Sequence, residues 1–156
     1  MAQHNFYLDH AIKLANKNVQ EGGGPFGAVI VKDDKFLCQG VNKVVKNCDP
    51  TCHAEISAIR NACSILNTHE LTDCSLYSSC RPCPMCLSAI YWSNIKTVYY
   101  ASSSKNAEEV GFADEFIYDE LDKNDEDKNI TIVKLDRPSE KTPFVVWEMK
   151  DDKILY

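Results

Sequence analysis

Three cysteines crowd into the stretch "SSCRPCPMC", Ser78 to Cys86, and the last two, Cys83 and Cys86, stand three positions apart. They open a segment, "PMCLSAIYW", that reads as a helix, because Pro84 suits a first helical turn where its missing N–H costs nothing. Residues i and i+3 share a helix face, so both sulfurs can address one ion. The helix N-terminus also favours thiolate over thiol. A Cys-x-x-Cys pair alone is equally compatible with a redox dithiol or two buried thiols. The second stretch is "CHAEISAIR", where His53 and Glu55 open another predicted helix. Taken singly, a histidine there reads as a cap or surface residue, and the glutamate as a complement to the helix dipole.

Their combination says more. His-x-Glu followed thirty positions later by Pro-Cys-x-x-Cys is the pattern of zinc-dependent nucleobase deaminases. Two thiolates and one imidazole make three protein ligands, which leaves the fourth tetrahedral position of zinc open for water, whereas a structural site takes four. The spacing therefore predicts one catalytic Zn2+ per chain on His53, Cys83 and Cys86. A carboxylate beside an activated water can take its proton, pass it to a ring nitrogen and then protonate a departing amine. That role is expected of Glu55. Cys80 is expected to be a neighbour at a strand end and not a fourth ligand, with Cys48 and Cys52 as bystanders.

The elements that must position these groups follow from hydrophobic pattern. Leu8, Ile12, Ala15 and Val19 recur at helical spacing, and "EGGGP" ends that helix. "FGAVIVKDDKFLCQGVN" reads as a β-hairpin with an Asp-Asp-Lys turn. Ile56, Ile59, Cys63 and Leu66 give the helix after "NCDPT" one apolar face, and Asp49 or Thr51 is its candidate cap. "CSLYSS" and "KTVYYAS" read as strands on either side of the Cys-x-x-Cys helix, "ADEFIYDEL" as an acidic helix and "ITIVKL" as a late strand. "PFVVWEM" is ambiguous between strand and helix. Alternating strands and helices predict an α/β sheet covered by helices.

Composition bounds the function. At 156 residues the chain is long enough for one well-buried domain. The formal charge of −6, from 23 acidic and 17 basic residues, argues against a polyanion as the main substrate, since phosphate contacts need concentrated positive charge. A small-molecule substrate and no nucleic-acid partner are expected. No apolar run approaches the ~20 residues that cross a bilayer, so no membrane association is expected. "MAQHNFYLDHAIKLANKNV" lacks the apolar core of a signal peptide. A cytoplasmic location follows as the expectation, where eight cysteines stay reduced. Cys38, Cys63 and Cys74, set among apolar neighbours, are expected in the core.

The chain resembles the cytidine deaminase-like superfamily, and within it the small bacterial-type guanine deaminases. The resemblance runs over nearly the whole length, through "GGPFGAVIVKD", Asn42 in "GVN", "DPTCHAEISAIR", "SCRPCPMCLSAIYW", "GFADEFIYDEL" and the terminal "ILY". It implies a three-layer α/β/α fold around a five-stranded mixed sheet. It also implies a homodimer in which a C-terminal segment, about 110–156 of the single 1–156 domain, is exchanged. The implied reaction is hydrolytic deamination of guanine to xanthine and ammonia. Carried over by position, Glu55 and Asp114 are catalytic, and Phe26, Asn42, Ala54 and Tyr156 bind the purine. Phe26 would stack on the ring, Asn42 would bond its edge, and Tyr156 would close the partner's site. An ionised Asp accepts only, which suits the N1–H and amine donors of guanine. Relatives usually carry an acidic residue where this chain has Arg81. Competing readings are a deaminase of guanosine, cytosine or tRNA adenosine, a non-catalytic zinc scaffold, and a thiol redox protein.

Overall fold

A computed structural model describes residues 2–155. Helix α1 (Ala2–Gln20) leads into strands β1 (Gly27–Lys32) and β2 (Lys35–Val41), followed by a short helix α2 (Val44–Asn47) and helix α3 (Ala54–Leu66). Strand β3 (Cys74–Cys80), helix α4 (Pro84–Trp92), strand β4 (Thr97–Ser102) and the short helix α5 (Ser104–Glu108) complete the sheet region. Helix α6 (Glu115–Asp122), a 3₁₀ turn (Asp125–Asp127) and helix α7 (Thr142–Glu148) follow. Two compact units result, Met1–Tyr118 and Asp119–Tyr156.

The sheet is mixed, with order β2-β1-β3-β4. β1 pairs antiparallel with β2 and β3, and β3 pairs parallel with β4. Asp33 and Asp34 turn the β1–β2 hairpin with φ of 49° and 59°, the left-handed pair that a tight two-residue hairpin requires. Side chains of β1 alternate between two cores. Val29 and Val31 meet Tyr7 and Ala11 of α1, while Ala28 and Ile30 meet Ala54, Ala58 and Ile59 of α3. Helices therefore cover both faces, in the layered arrangement expected.

Three expectations are corrected. The sheet has four strands among the described residues and not five. Residues 130–135 form no ladder, although their β-branched side chains favour a strand. A strand needs a neighbouring edge for its backbone N–H and C=O groups, and the second unit contains no strand among its described residues. Ile130, Ile132, Val133 and Leu135 are all exposed. The buried stripe of α1 is also one position off. It is Tyr7, Ala11, Ala15 and Asn18, leaving Ile12 and Val19 at 37% and 50% exposure. Small residues win there because α1 lies so close to β1 that a Cβ on Gly27 would fall 2.4 Å from the Ala11 carbonyl. The ambiguous "PFVVWEM" lies largely within α7.

Candidate active site

Both helices that carry candidate ligands begin on one of them. His53 is the N-cap of α3 and Cys83 the N-cap of α4, each with extended backbone. Pro84 takes the first helical position of α4, and Cys86 follows two residues later, facing the same way as Cys83. Neither Asp49 nor Thr51 caps α3. Asp49 Oδ1 instead accepts from the Thr51 N–H and hydroxyl, at 2.8 and 2.7 Å, and so shapes the loop that delivers His53. Ile56 packs against Cys83 and Cys86, which joins the two helix starts. Gly40 on β2 permits this seating of α3, since a Cβ there would lie 2.2 Å from the Ala54 carbonyl.

His53 Nδ1 lies 3.5 Å from Cys83 Sγ and 3.6 Å from Cys86 Sγ, and the three ligand atoms fall within 4.8 Å of one another. Tetrahedral zinc with bonds of about 2.0–2.3 Å places its ligand atoms about 3.5–3.8 Å apart. The donor set and its spacing fit zinc. Cys80 is elsewhere, its thiol donating to the Ser103 carbonyl at 3.4 Å. Cys38 and Cys74 are buried and Cys63 is half-buried against the same core.

The electrostatics follow from packing. The hydrogen bond it accepts from Cys86 draws Cys83 down to about 4, with further help from His53. The same bond, with burial, holds Cys86 above the ordinary thiol range. Cys83 in turn raises the imidazole of His53. Burial lifts the Glu55 carboxyl above its usual range, while its own N–H and Ser78 oppose the shift. Glu55 is 5% exposed, with Oε1 accepting from Ser78 Oγ at 2.9 Å and Oε2 from the Cys86 thiol at 3.4 Å. Ligation of a metal by Cys86 would remove that thiol proton and free Oε2.

A cavity of about 390 Å³ opens onto these groups, and Phe26, Asn42 and Asp114 line it with His53, Glu55 and Cys83. Asp114 is half-buried, and burial followed by the negative charge of Cys83 raises its carboxyl. Ala54, the first residue of α3, is fully buried in the core and is not among the lining residues. Tyr156 lies outside the described residues. Sequence reasoning missed Phe112, which lines the cavity and meets Phe26 edge-to-face at 5.0 Å. It also missed Ser78, whose signal was a hydroxyl in the middle of an otherwise buried strand.

Comparison with known proteins decides the family. The cytidine and deoxycytidylate deaminase zinc-binding region matches residues 1–102. The chain belongs to this family of zinc deaminases. It is 48% identical to a guanine deaminase of Bacillus subtilis over 145 residues, 92% of this chain and 93% of the relative. A tRNA-specific adenosine deaminase of Aquifex aeolicus is 38% identical over 64% of this chain and 66% of its own length. The crystal structure of the Bacillus subtilis guanine deaminase superposes with a TM-score of 0.96 over 98% of each chain, at 47% identity. A guanine deaminase of Nitrosomonas europaea gives 0.66 at 30% identity, over 69% of this chain and 63% of its own. As in these zinc deaminases, the cofactor is zinc, and His53, Cys83 and Cys86 form the possible metal site.

Proposed function

We propose that this chain hydrolyses guanine to xanthine and ammonia. The observation that carries the reading is the full-length likeness to a guanine deaminase, against a likeness to tRNA adenosine deaminases that spans 64% of this chain for the Aquifex aeolicus relative. His53, Cys83 and Cys86 would hold zinc, which when bound supplies Lewis acidity and an activated water. Glu55 accepts the proton released as the water oxygen bonds to C2 of guanine and delivers it to a ring nitrogen beside C2. Glu55 then takes the second proton from the oxygen now bonded to C2 and supplies it to the amine, so that the C2–N bond breaks, ammonia leaves and the C2 oxygen becomes the carbonyl of xanthine. Ser78 holds Oε1 so that Oε2 does this work.

Phe26 supplies a flat apolar wall for the purine, and Phe112, set edge-on to it, fixes that ring. Asn42 offers both donor and acceptor to the purine edge, and Asp114 accepts from the N1–H and amine of guanine. Ala54 would act through its main-chain N–H, one of the unpartnered donors in the first turn of a helix. The eight free thiols suit a cytoplasmic enzyme. Among the described residues no helix is long and apolar enough to cross a membrane.

The assembly belongs to the same proposal. Residues from about 110 would be exchanged in a homodimer, with Tyr156 closing the partner's site. Supporting this, α7 and residues 130–135 bury none of their side chains, and Phe144, Val146 and Met149 are exposed. Deleting residues 151–156 should then lower turnover while leaving zinc in place. The substrate reading is tested by following ammonia from zinc-loaded protein offered guanine, guanosine, adenine, cytosine or a tRNA anticodon stem. Guanine is the expected substrate, and activity on the tRNA alone would overturn the assignment.

A further inference from the structure

Asparagine is a poor residue for a helix interior, because its amide competes for backbone partners. Asn18 nevertheless sits in the last turns of α1, 6% exposed. Its side chain directs both of its amide protons outside the helix. Nδ2 donates to the Gly24 carbonyl at 2.8 Å and to the Asn42 carbonyl at 2.7 Å. The Gly24 carbonyl also accepts from the Phe26 N–H at 2.8 Å, and the Asn42 N–H donates to the Phe26 carbonyl at 3.2 Å. One nitrogen thus closes a ring of main-chain bonds whose members are Gly24, Phe26 and Asn42. Gly23 is shaped to the same purpose, since a Cβ there would lie 2.3 Å from Asn18 Nδ2.

Gly23, Gly24, Phe26 and Asn42 all line the 390 Å³ cavity, whereas Asn18 does not. We propose that Asn18 is a positioning residue for substrate, fixing the separation of the Phe26 and Asn42 walls through the carbonyls of Gly24 and Asn42. The inference rests on the reading of this cavity as the purine site. Side chains of similar size cannot replace the amide, because an aspartate offers no N–H and a leucine offers no polar atom. The Asn18 amide bonds the Gly24 and Asn42 carbonyls and not His53, Glu55, Cys83 or Cys86, so the proton-transfer machinery is left in place when it changes. Its loss therefore weakens recognition of the purine more than the chemical step.

The test is steady-state deamination by zinc-loaded wild type, Asn18→Ala, Asn18→Asp and Gly23→Ala, with zinc content and melting temperature measured on each. Val31→Ala, which opens a gap in the α1–β1 cluster that contains none of Gly23, Gly24, Phe26 or Asn42, serves as a destabilised control. Each Asn18 variant should hold one zinc per chain and show KM for guanine raised at least tenfold, with kcat within about threefold of wild type. Gly23→Ala displaces the same side chain and should raise KM similarly. Combined with Asn18→Ala it should add little, because both break one interaction. Val31→Ala should lower the melting temperature and leave KM unchanged. A folded, zinc-loaded Asn18→Asp or Gly23→Ala with KM within twofold of wild type overturns the proposal, as does a fall confined to kcat. If Asn18→Ala does not fold, those two variants decide it. Wild type that rejects guanine but accepts another base refutes the substrate assignment alone, and the same KM comparison is then made on that base.

Discussion

Ser78 Oγ donates to Glu55 Oε1 at 2.9 Å, and both side chains are buried. The bond crosses from strand β3 to the first turn of α3, so the sheet itself orients the carboxylate. Its energetic meaning comes from burial. A buried carboxylate left with one fewer donor rotates or takes up a proton, since hydrogen bonds to charged groups contribute about 1.5–3 kcal/mol. Ser78→Ala should lower kcat by about tenfold to a hundredfold while zinc content stays at one per chain. Glu55→Gln should keep zinc and lose turnover by a factor of about a thousand or more, because proton transfer is removed and not weakened. Near-full activity in Glu55→Gln would refute the proton shuttle.

Zinc and fold should separate cleanly. The core clusters of α1, β1, β3 and α3 contain no side chain of His53, Cys83 or Cys86; Cys83 and Cys86 belong to a smaller apolar cluster with Ile56, Met85 and Ala89. Chelation should therefore abolish activity while far-UV circular dichroism at 25 °C persists, and the melting temperature should fall. Metal analysis of the native protein should return about one zinc per chain. Unfolding upon chelation would make the ion structural, and a zinc-free protein with a titratable dithiol would favour redox chemistry.

Arg81, within the cysteine stretch, reaches the start of α6. Its guanidinium lies 5.0 Å over the Tyr118 ring and 4.0 Å from Glu115, and the Tyr118 hydroxyl donates to the Pro82 carbonyl at 3.1 Å. These contacts fasten the start of α6, and with it Asp114, to the loop before Cys83. Exposed ion pairs and cation–π contacts contribute only about 0.5–1 kcal/mol each, so the effect is modest. Arg81→Glu places like charge beside Glu115 and Asp114. It should raise KM for guanine by about threefold to tenfold, an increase that shrinks at high salt. A KM that does not move would restrict Arg81 to the surface.

How much of this was legible in the sequence depended on whether the signal was local. The ligands sit at helix starts, where residue type, Pro84 and spacing all act within one turn, and their convergence needed only that α3 and α4 pack. The buried face of α1 was not legible, because Ala11 and Ala15 give almost no hydrophobic contrast and the close approach at Gly27 decided the matter. Asn18 was hidden because it is a polar residue next to Val19, which the apolar spacing picked out in its place. Residues 130–135 have strand composition, but a ladder is a property of two segments and composition belongs to one. Phe112 lies inside the family-like stretch "GFADEFIYDEL", yet its place beside Phe26 follows only from tertiary packing.

Asp49 gives the pH dependence its sign. The Thr51 hydroxyl and N–H that it accepts from hold its carboxyl below the usual carboxylate value, with Arg60, 3.8 Å away, adding a smaller push. A carboxyl depressed in the folded state stabilises the fold above its unfolded pKa, and the contribution disappears as pH falls through the folded value. The side chain lies at the surface, so the effect is small and belongs to the loop ahead of His53. Asp49→Ala should melt below wild type at neutral pH, and the gap should close as pH drops below the ordinary carboxylate range of about 4. Thermal melts of the two proteins between pH 7 and pH 3, in about 0.1 M salt to limit long-range screening differences, measure it. A gap independent of pH would mean that the Asp49 side chain acts by shape and not by charge.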